Sequence, residues 1–219
     1  IYIINFDDIL VKDFTLQSTS DHVVYAGTGA NNIIIRNCLI TGTSSQLGVY
    51  LYFSSVTVEN CIIKNCDNGI YLNSVAVCIV KNCVLFSNST GARTASSTAN
   101  LSIFNSIIYS NANYGIIKDY GTVLSMYNCF FSNPSENYFN VTGINDIEGQ
   151  NPAFVDITNG YYSLQSASPC IDTGNPSSGY NDPDGSRNDM GVFGGPESWG
   201  GSGPVITNMS VSPSTVESG

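Results

Sequence analysis

The chain has 219 residues, 42% of them hydrophobic, so it can bury a sizeable core in one large domain or in a domain plus part of a second, which excludes wholesale disorder. Its net charge of −10, with only 7 Lys+Arg, would repel a phosphate backbone, which excludes nucleic acid as a partner. No apolar run approaches the roughly 18 residues of a membrane-crossing helix; the longest is Val75 to Val80, so direct membrane insertion is not expected.

Charged residues make up only 11%, and polarity comes instead from 25 Asn and 29 Ser. The acids are unevenly spread. Residues 1–133 carry 7 acids against 6 bases, whereas residues 134–219 carry 10 against one. These are two chemistries on one chain.

From the first residues the chain reads as short strands. Ile1-Tyr2-Ile3-Ile4 looks like a strand already inside a turn, with neither a start Met nor a signal peptide before it. Asn37-Cys38-Leu39-Ile40 then recurs as Asn60-Cys61-Ile62-Ile63, Asn82-Cys83-Val84-Leu85, Asn105-Ser106-Ile107-Ile108 and Asn128-Cys129-Phe130-Phe131, in steps of 23, 22, 23 and 23 residues. A degenerate copy, Asp13-Phe14-Thr15-Leu16, precedes the first by 24. Period-2 alternation before each Asn, as in Val56-Thr57-Val58-Glu59, predicts one strand. A second follows the Asn-Cys, and a third is led by Gly, as in Gly48-Val49-Tyr50-Leu51 and Gly69-Ile70-Tyr71-Leu72, with weaker copies at Gly91 and Gly115. Three strands in so short a unit leave no room for a helix, which excludes leucine-rich and helical repeats, and a propeller blade needs roughly 40 residues. The fold class is all-β, a solenoid of about one repeat per turn. On these motifs the sequence resembles the right-handed parallel β-helix, or pectate-lyase-like, superfamily, and the resemblance covers residues 1–133.

Stacking the repeats predicts columns about one strand spacing, ~4.8 Å, apart. Ile33, Val56, Cys78, Leu101 and Leu124 should point inward, as should Ile35, Val58, Val80, Ile103 and Met126. Asn37, Asn60, Asn82, Asn105 and Asn128 should form an amide ladder at a bend, since Asn tolerates a left-handed corner. Cys38, Cys61, Cys83, Ser106 and Cys129 line up behind it as small buried residues. Seven cysteines without a Cys-x-x-Cys, beside a single His, argue against zinc; ladder spacing allows a Cys38–Cys61 or Cys61–Cys83 bridge.

Candidate chemistry lies on the outer face. Lys12, Arg36, Glu59, Lys81, Phe104 and Tyr127 form a column whose middle alternates in sign, which reads as surface electrostatics. Lys64 with Asp67 and Lys118 with Asp119 are isolated pairs, and His22 is placed in an N-terminal loop. No acidic cluster repeats with the turn, so no catalytic residues are assigned. Tyr50 and Tyr71, continued by Arg93 and Ile117, are candidate sugar-stacking residues. Leu39, Ile62, Val84, Ile107 and Phe130 form an outward apolar stripe that needs a cover, either the segment after residue 134 or a partner.

Past Asn133-Pro134 the period stops, and residues 134–199 are expected to cap the solenoid, whose open end would otherwise expose strand edges and core. Ser168-Pro169-Cys170-Ile171-Asp172-Thr173-Gly174, Asp182-Pro183-Asp184-Gly185 and Asp189-Met190-Gly191-Val192-Phe193-Gly194-Gly195 resemble the terminal segment of secreted bacterial β-helix repeat proteins. That resemblance implies secretion or cell-surface display. Asp182, Asp184, Ser186 and Asp189 are candidate calcium ligands, although Gly stands fourth and Phe193 twelfth, unlike an EF-hand. Residues 200–219 resemble a linker and the first strand of an immunoglobulin-like module, so both ends read as cut from a longer modular protein. The expected function is a carbohydrate-binding, adhesive or spacer module acting on a polysaccharide or cell-surface glycan. The alternatives are a polysaccharide lyase or glycoside hydrolase, and a subunit that self-associates through the apolar stripe.

Overall fold

The computed structural model describes residues 1–199. Three seven-stranded sheets, parallel throughout, run the length of a solenoid. The first sheet stacks Tyr2–Ile3, His22–Ala26, Leu47–Tyr52, Asn68–Asn73, Thr90–Thr94, Tyr114–Lys118 and Glu136–Phe139. The second stacks Leu10–Lys12, Ala30–Arg36, Ser54–Glu59, Val77–Lys81, Asn100–Phe104, Thr122–Met126 and Gly143–Ile144. The third holds Thr15–Leu16, Leu39–Thr41, Ile62–Lys64, Val84–Phe86, Ile107–Tyr109, Cys129–Phe131 and Ile147–Glu148. An antiparallel pair, Phe154–Asp156 with Tyr161–Leu164, opens the C-terminal segment.

Alternation along each strand decides what is buried. Ile33, Val56, Cys78 and Leu101 share one interior column, and Ile35, Val58, Val80 and Ile103 share the next. At the corner between the second and third sheets the backbone turns through left-handed residues at Asp13, Asn37, Asn60, Asn82 and Asn105, with φ from 49 to 64°. Asn and Asp enter this region at lower cost than other side chains, which explains the recurrent Asn. The leading Gly of the first-sheet strands has a packing reason: a Cβ on Gly91 would lie 2.5 Å from the Gly115 carbonyl oxygen of the next turn.

The fifth repeat is displaced. Leu101 pairs with Val123 and Ile103 with Ser125, so Leu124 is exposed and Met126 continues the Phe104 column in place of Tyr127. Tyr127 itself takes the left-handed corner, at φ 54°. Asn128 therefore falls in the small interior column after Ser106, Cys129 points outward, and Phe130 is wholly buried in the main core. The cause is the preceding loop: Thr94 pairs with Lys118, 24 residues on, but Asn100 pairs with Thr122, only 22 on. This register places Phe130 inside and Phe131 in the outer column after Tyr109, the reverse of an unshifted repeat.

The solenoid also continues past the expected boundary at residue 133. Glu136–Phe139, Gly143–Ile144 and Ile147–Glu148 each extend one sheet by a strand, and Asn145 repeats the left-handed corner at φ 56°. His22 lies in a first-sheet strand and not in a loop. The linker and immunoglobulin-like strand expected at 200–219 lie outside the described residues.

Candidate functional site

The outer face of the third sheet is covered by the chain's own C-terminal segment. Ile62, Val84, Ile107 and Cys129 form a second buried cluster with Phe154, Tyr162, Cys170, Met190, Val192 and Trp199, and Leu39 packs at its margin. The apolar stripe is thus Leu39, Ile62, Val84, Ile107 and Cys129, with Phe130 removed from it, and it is an internal seam.

The corner asparagines hold that segment. Asn60 Nδ2 donates to the carbonyls of Val192 (3.1 Å) and Gly194 (2.8 Å). Asn82 Nδ2 donates to Asp189 O at 2.9 Å and to Asn188 Oδ1 at 3.1 Å, and Asn105 Oδ1 accepts from the Asn175 amide at 2.8 Å. Trp199 Nε1 donates to the Asn60 carbonyl. The predicted stack of Asn37, Asn60, Asn82, Asn105 and Asn128 amides does not form: Asn60, Asn82 and Asn105 bond the cap, and Asn128 lies in the interior column, where it bonds Asp146 and the Ile103 carbonyl.

A true amide ladder stands at the next corner. Asn88 Nδ2 donates to Asn111 Oδ1 at 3.1 Å, and Asn111 Nδ2 to Asn133 Oδ1 at 3.0 Å, while each also bonds a main-chain carbonyl of the turn before. Asn88, Asn111 and Asn133 are spaced 23 and 22 residues apart, a periodicity overshadowed by the louder Asn-Cys motif. In the small interior column the Cys38 amide donates to Cys61 Sγ, the Cys83 amide to Ser106 Oγ, the Ser106 amide to Asn128 Oδ1 and the Asn128 amide to Asp146 Oδ1. All seven cysteines are free thiols. Burial pushes the Cys66 thiol up to about 12, which suits a packing role over a nucleophilic one.

In the alternating column Glu59 is buried, 1% exposed, and ion-paired to both Arg36 and Lys81. Arg36 reaches on to Glu197 of the C-terminal segment at 2.9 Å. This network clasps the cap's edge. Lys64 Nζ donates to the Tyr162 hydroxyl at 3.0 Å, and Asp119 accepts from Arg93 at 2.6 Å, so neither predicted neighbour pair forms.

Asp172, Asp182, Asp184 and Asp189 border an open depression of about 430 Å³, backed by Phe193 and Trp199. Asp182 Oδ1 accepts from the Gly195 amide (2.5 Å) and Oδ2 from the Asp189 amide (3.0 Å). Asp189 Oδ1 accepts from the Asp172 amide at 2.7 Å, and Asp184 Oδ1 accepts from the Ser186 amide and hydroxyl. Among the described residues no group of three or more His, Cys, Asp or Glu is placed to hold a metal ion. These carboxylates are bonded within the loop and to neighbouring backbone amides. Burial, reinforced by Asp182, Asp172 and Asp184, raises the Asp189 carboxyl to about 6.

The first sheet carries an aromatic column open to solvent, and a second run, Phe86, Tyr109 and Phe131, stacks in register on the third sheet. Tyr2, Tyr25, Tyr50 and Tyr71 occupy a single register column, continued by Arg93 and Ile117. Consecutive tyrosine centroids lie 5.5, 5.3 and 5.5 Å apart. His22 packs 5.4 Å from Tyr25 and 5.0 Å from Tyr50. Tyr2 is exposed and the other three half-exposed. Tyr2 and Tyr25 precede the first Asn-Cys copy, at Asn37, so the repeat motif alone does not point to them.

The family model for the right-handed β-helix region matches residues 1–173. The chain belongs to the right-handed β-helix family. No curated protein matches it. As a β-helix its three faces divide cleanly: one is covered by the cap, one carries the tyrosines, and the second sheet lies between them.

Proposed function

We propose that this β-helix is a non-catalytic module of a secreted or cell-surface protein and binds an extended glycan along the tyrosine column. The observation that carries the reading is the column itself: Tyr2, Tyr25, Tyr50 and Tyr71 in register on a rigid parallel sheet, with Arg93 at its end. Rings held at a constant rise present an apolar body and a polar hydroxyl at each step, the combination a sugar ring requires. The net charge of −10 disfavours polyanionic chains, so the ligand is a neutral glycan. Secretion is supported by the resemblance of the C-terminal segment to those of secreted β-helix proteins.

A lyase or hydrolase reading draws less support. An acid–base pair needs two carboxylates free to face one sugar, and both oxygens of Asp182 and one of Asp189 are bound to backbone amides. The test is a neutral-glycan array with the intact chain and the Tyr50→Ala and Tyr71→Ala variants. Each substitution should weaken binding by roughly tenfold, about 1.4 kcal/mol, with the fold intact by circular dichroism. Binding that is absent from every neutral glycan, or unchanged in both variants, overturns the reading.

A further inference from the structure

The same tyrosines have a chemical capability that does not depend on any glycan. In-register pairing ties Tyr2, Tyr25, Tyr50 and Tyr71 to successive turns, and their rings cannot drift apart without unpairing the sheet. Their centroids are 5.3 to 5.5 Å apart with ring planes tilted by 43 to 57°, so ring edges and not closed faces confront the next phenol. All four reach solvent. We propose that this column is a modification site, where neighbouring phenols are joined turn to turn as dityrosine by a one-electron oxidant of the peroxidase and hydrogen peroxide class.

In the step each of two phenols loses one electron and its hydroxyl proton. The two phenoxyl radicals then form one carbon–carbon bond between ring positions ortho to oxygen, and the ortho hydrogens return to the oxygens, restoring both hydroxyls. One hydrogen peroxide takes up the two electrons and two protons and leaves as two waters. Holding the partners together replaces a bimolecular encounter by an intramolecular one, the condition under which radical coupling outruns side reactions. By contrast Tyr120 and Tyr161, at 64% and 62% exposure, have no aromatic neighbour among the described residues and can couple only between molecules. The product is a covalent staple across the first turns.

The intact protein, dilute enough to be monomeric, is treated with peroxidase and hydrogen peroxide and digested with trypsin. Tyr25, Tyr50 and Tyr71 fall on separate tryptic peptides, 13–36, 37–64 and 65–81. The expected result is blue dityrosine fluorescence and linked peptides lighter by two hydrogens, with fragmentation placing the bond between Tyr25 and Tyr50 or between Tyr50 and Tyr71. Yield per molecule should be independent of protein concentration. Tyr50→Phe, which keeps the ring and its packing, should abolish both linkages, and Tyr161→Phe should leave them. Links that rise with concentration, links confined to Tyr120 or Tyr161, or full yield in Tyr50→Phe would each overturn the proposal. Glycan binding is not read in this experiment, so the two proposals stand or fall separately.

Discussion

Asn82 serves the fold twice, through a backbone at φ 51° and a side chain that donates to the cap carbonyls. Two substitutions separate these roles. Asn82→Gly keeps the corner accessible and loses only the cap contacts, an expected cost of about 1–3 kcal/mol for a buried hydrogen-bonding group. Asn82→Ala holds a Cβ in the left-handed region without the polar side chain that eases Asn into it, adding roughly 1–2 kcal/mol over the Gly variant. Denaturant unfolding of both variants should therefore rank wild type above Gly above Ala; equal midpoints for all three would refute the double role. That Asn recurs at this corner was legible in the sequence, and so was its left-handed backbone. Its partner was not, because strand alternation says which way a side chain points only within a strand. At a corner the direction depends on what packs there, and the partners Val192, Gly194 and Asp189 lie more than a hundred residues away along the chain.

At the scale of strands and turns, the repeat length was legible but its last register was not. Asn128-Cys129 continues the motif in sequence while the strand before it starts early, and the motif then sits one position off. The loop before the strand sets this register: Phe130 takes the interior place that Phe131 would hold in an unshifted repeat, and Tyr127 takes the left-handed corner. The turn-to-turn approach of the glycines yields a sharper expectation. Gly91→Ala drives a Cβ against the Gly115 carbonyl and should cost about 1–3 kcal/mol by overpacking, whereas Gly179→Ala, with open space around it, should leave the melting temperature unchanged. The cap loop has its own signature, in pH. Burial raises Asp189 to about 6 and also raises Asp182 and Asp146 above the ordinary carboxylate range. A carboxyl raised on folding favours the folded state most when protonated, so its contribution is complete below about pH 4. That contribution is lost as pH climbs through 6. The melting temperature should accordingly rise from pH 7.5 to pH 5, and Asp189→Asn should flatten that rise; a melt that falls over this interval would contradict the placement of these carboxyls.

For the molecule as a whole, the decisive fact is that the third sheet's outer face is apolar and covered. A parallel sheet ordinarily has both faces buried, and here the core fills one side while Met190, Val192, Phe154 and Trp199 fill the other. Self-association through this stripe, a reasonable expectation from Leu39, Ile62, Val84 and Ile107 alone, is therefore blocked intramolecularly. The cap is held by polar contacts at its edges, from Asn60 and Asn82 on one corner to the Arg36–Glu197 pair, around that apolar centre. Ending the chain after Gln150 leaves every strand of the three solenoid sheets in place but strips the cover from the stripe. An exposed run of that kind is a docking surface for its own copies. Light scattering should then find the shortened chain as concentration-dependent oligomers and the full chain as monomers. A shortened chain that stays monomeric while folded would mean that the stripe is not what the C-terminal segment exists to cover.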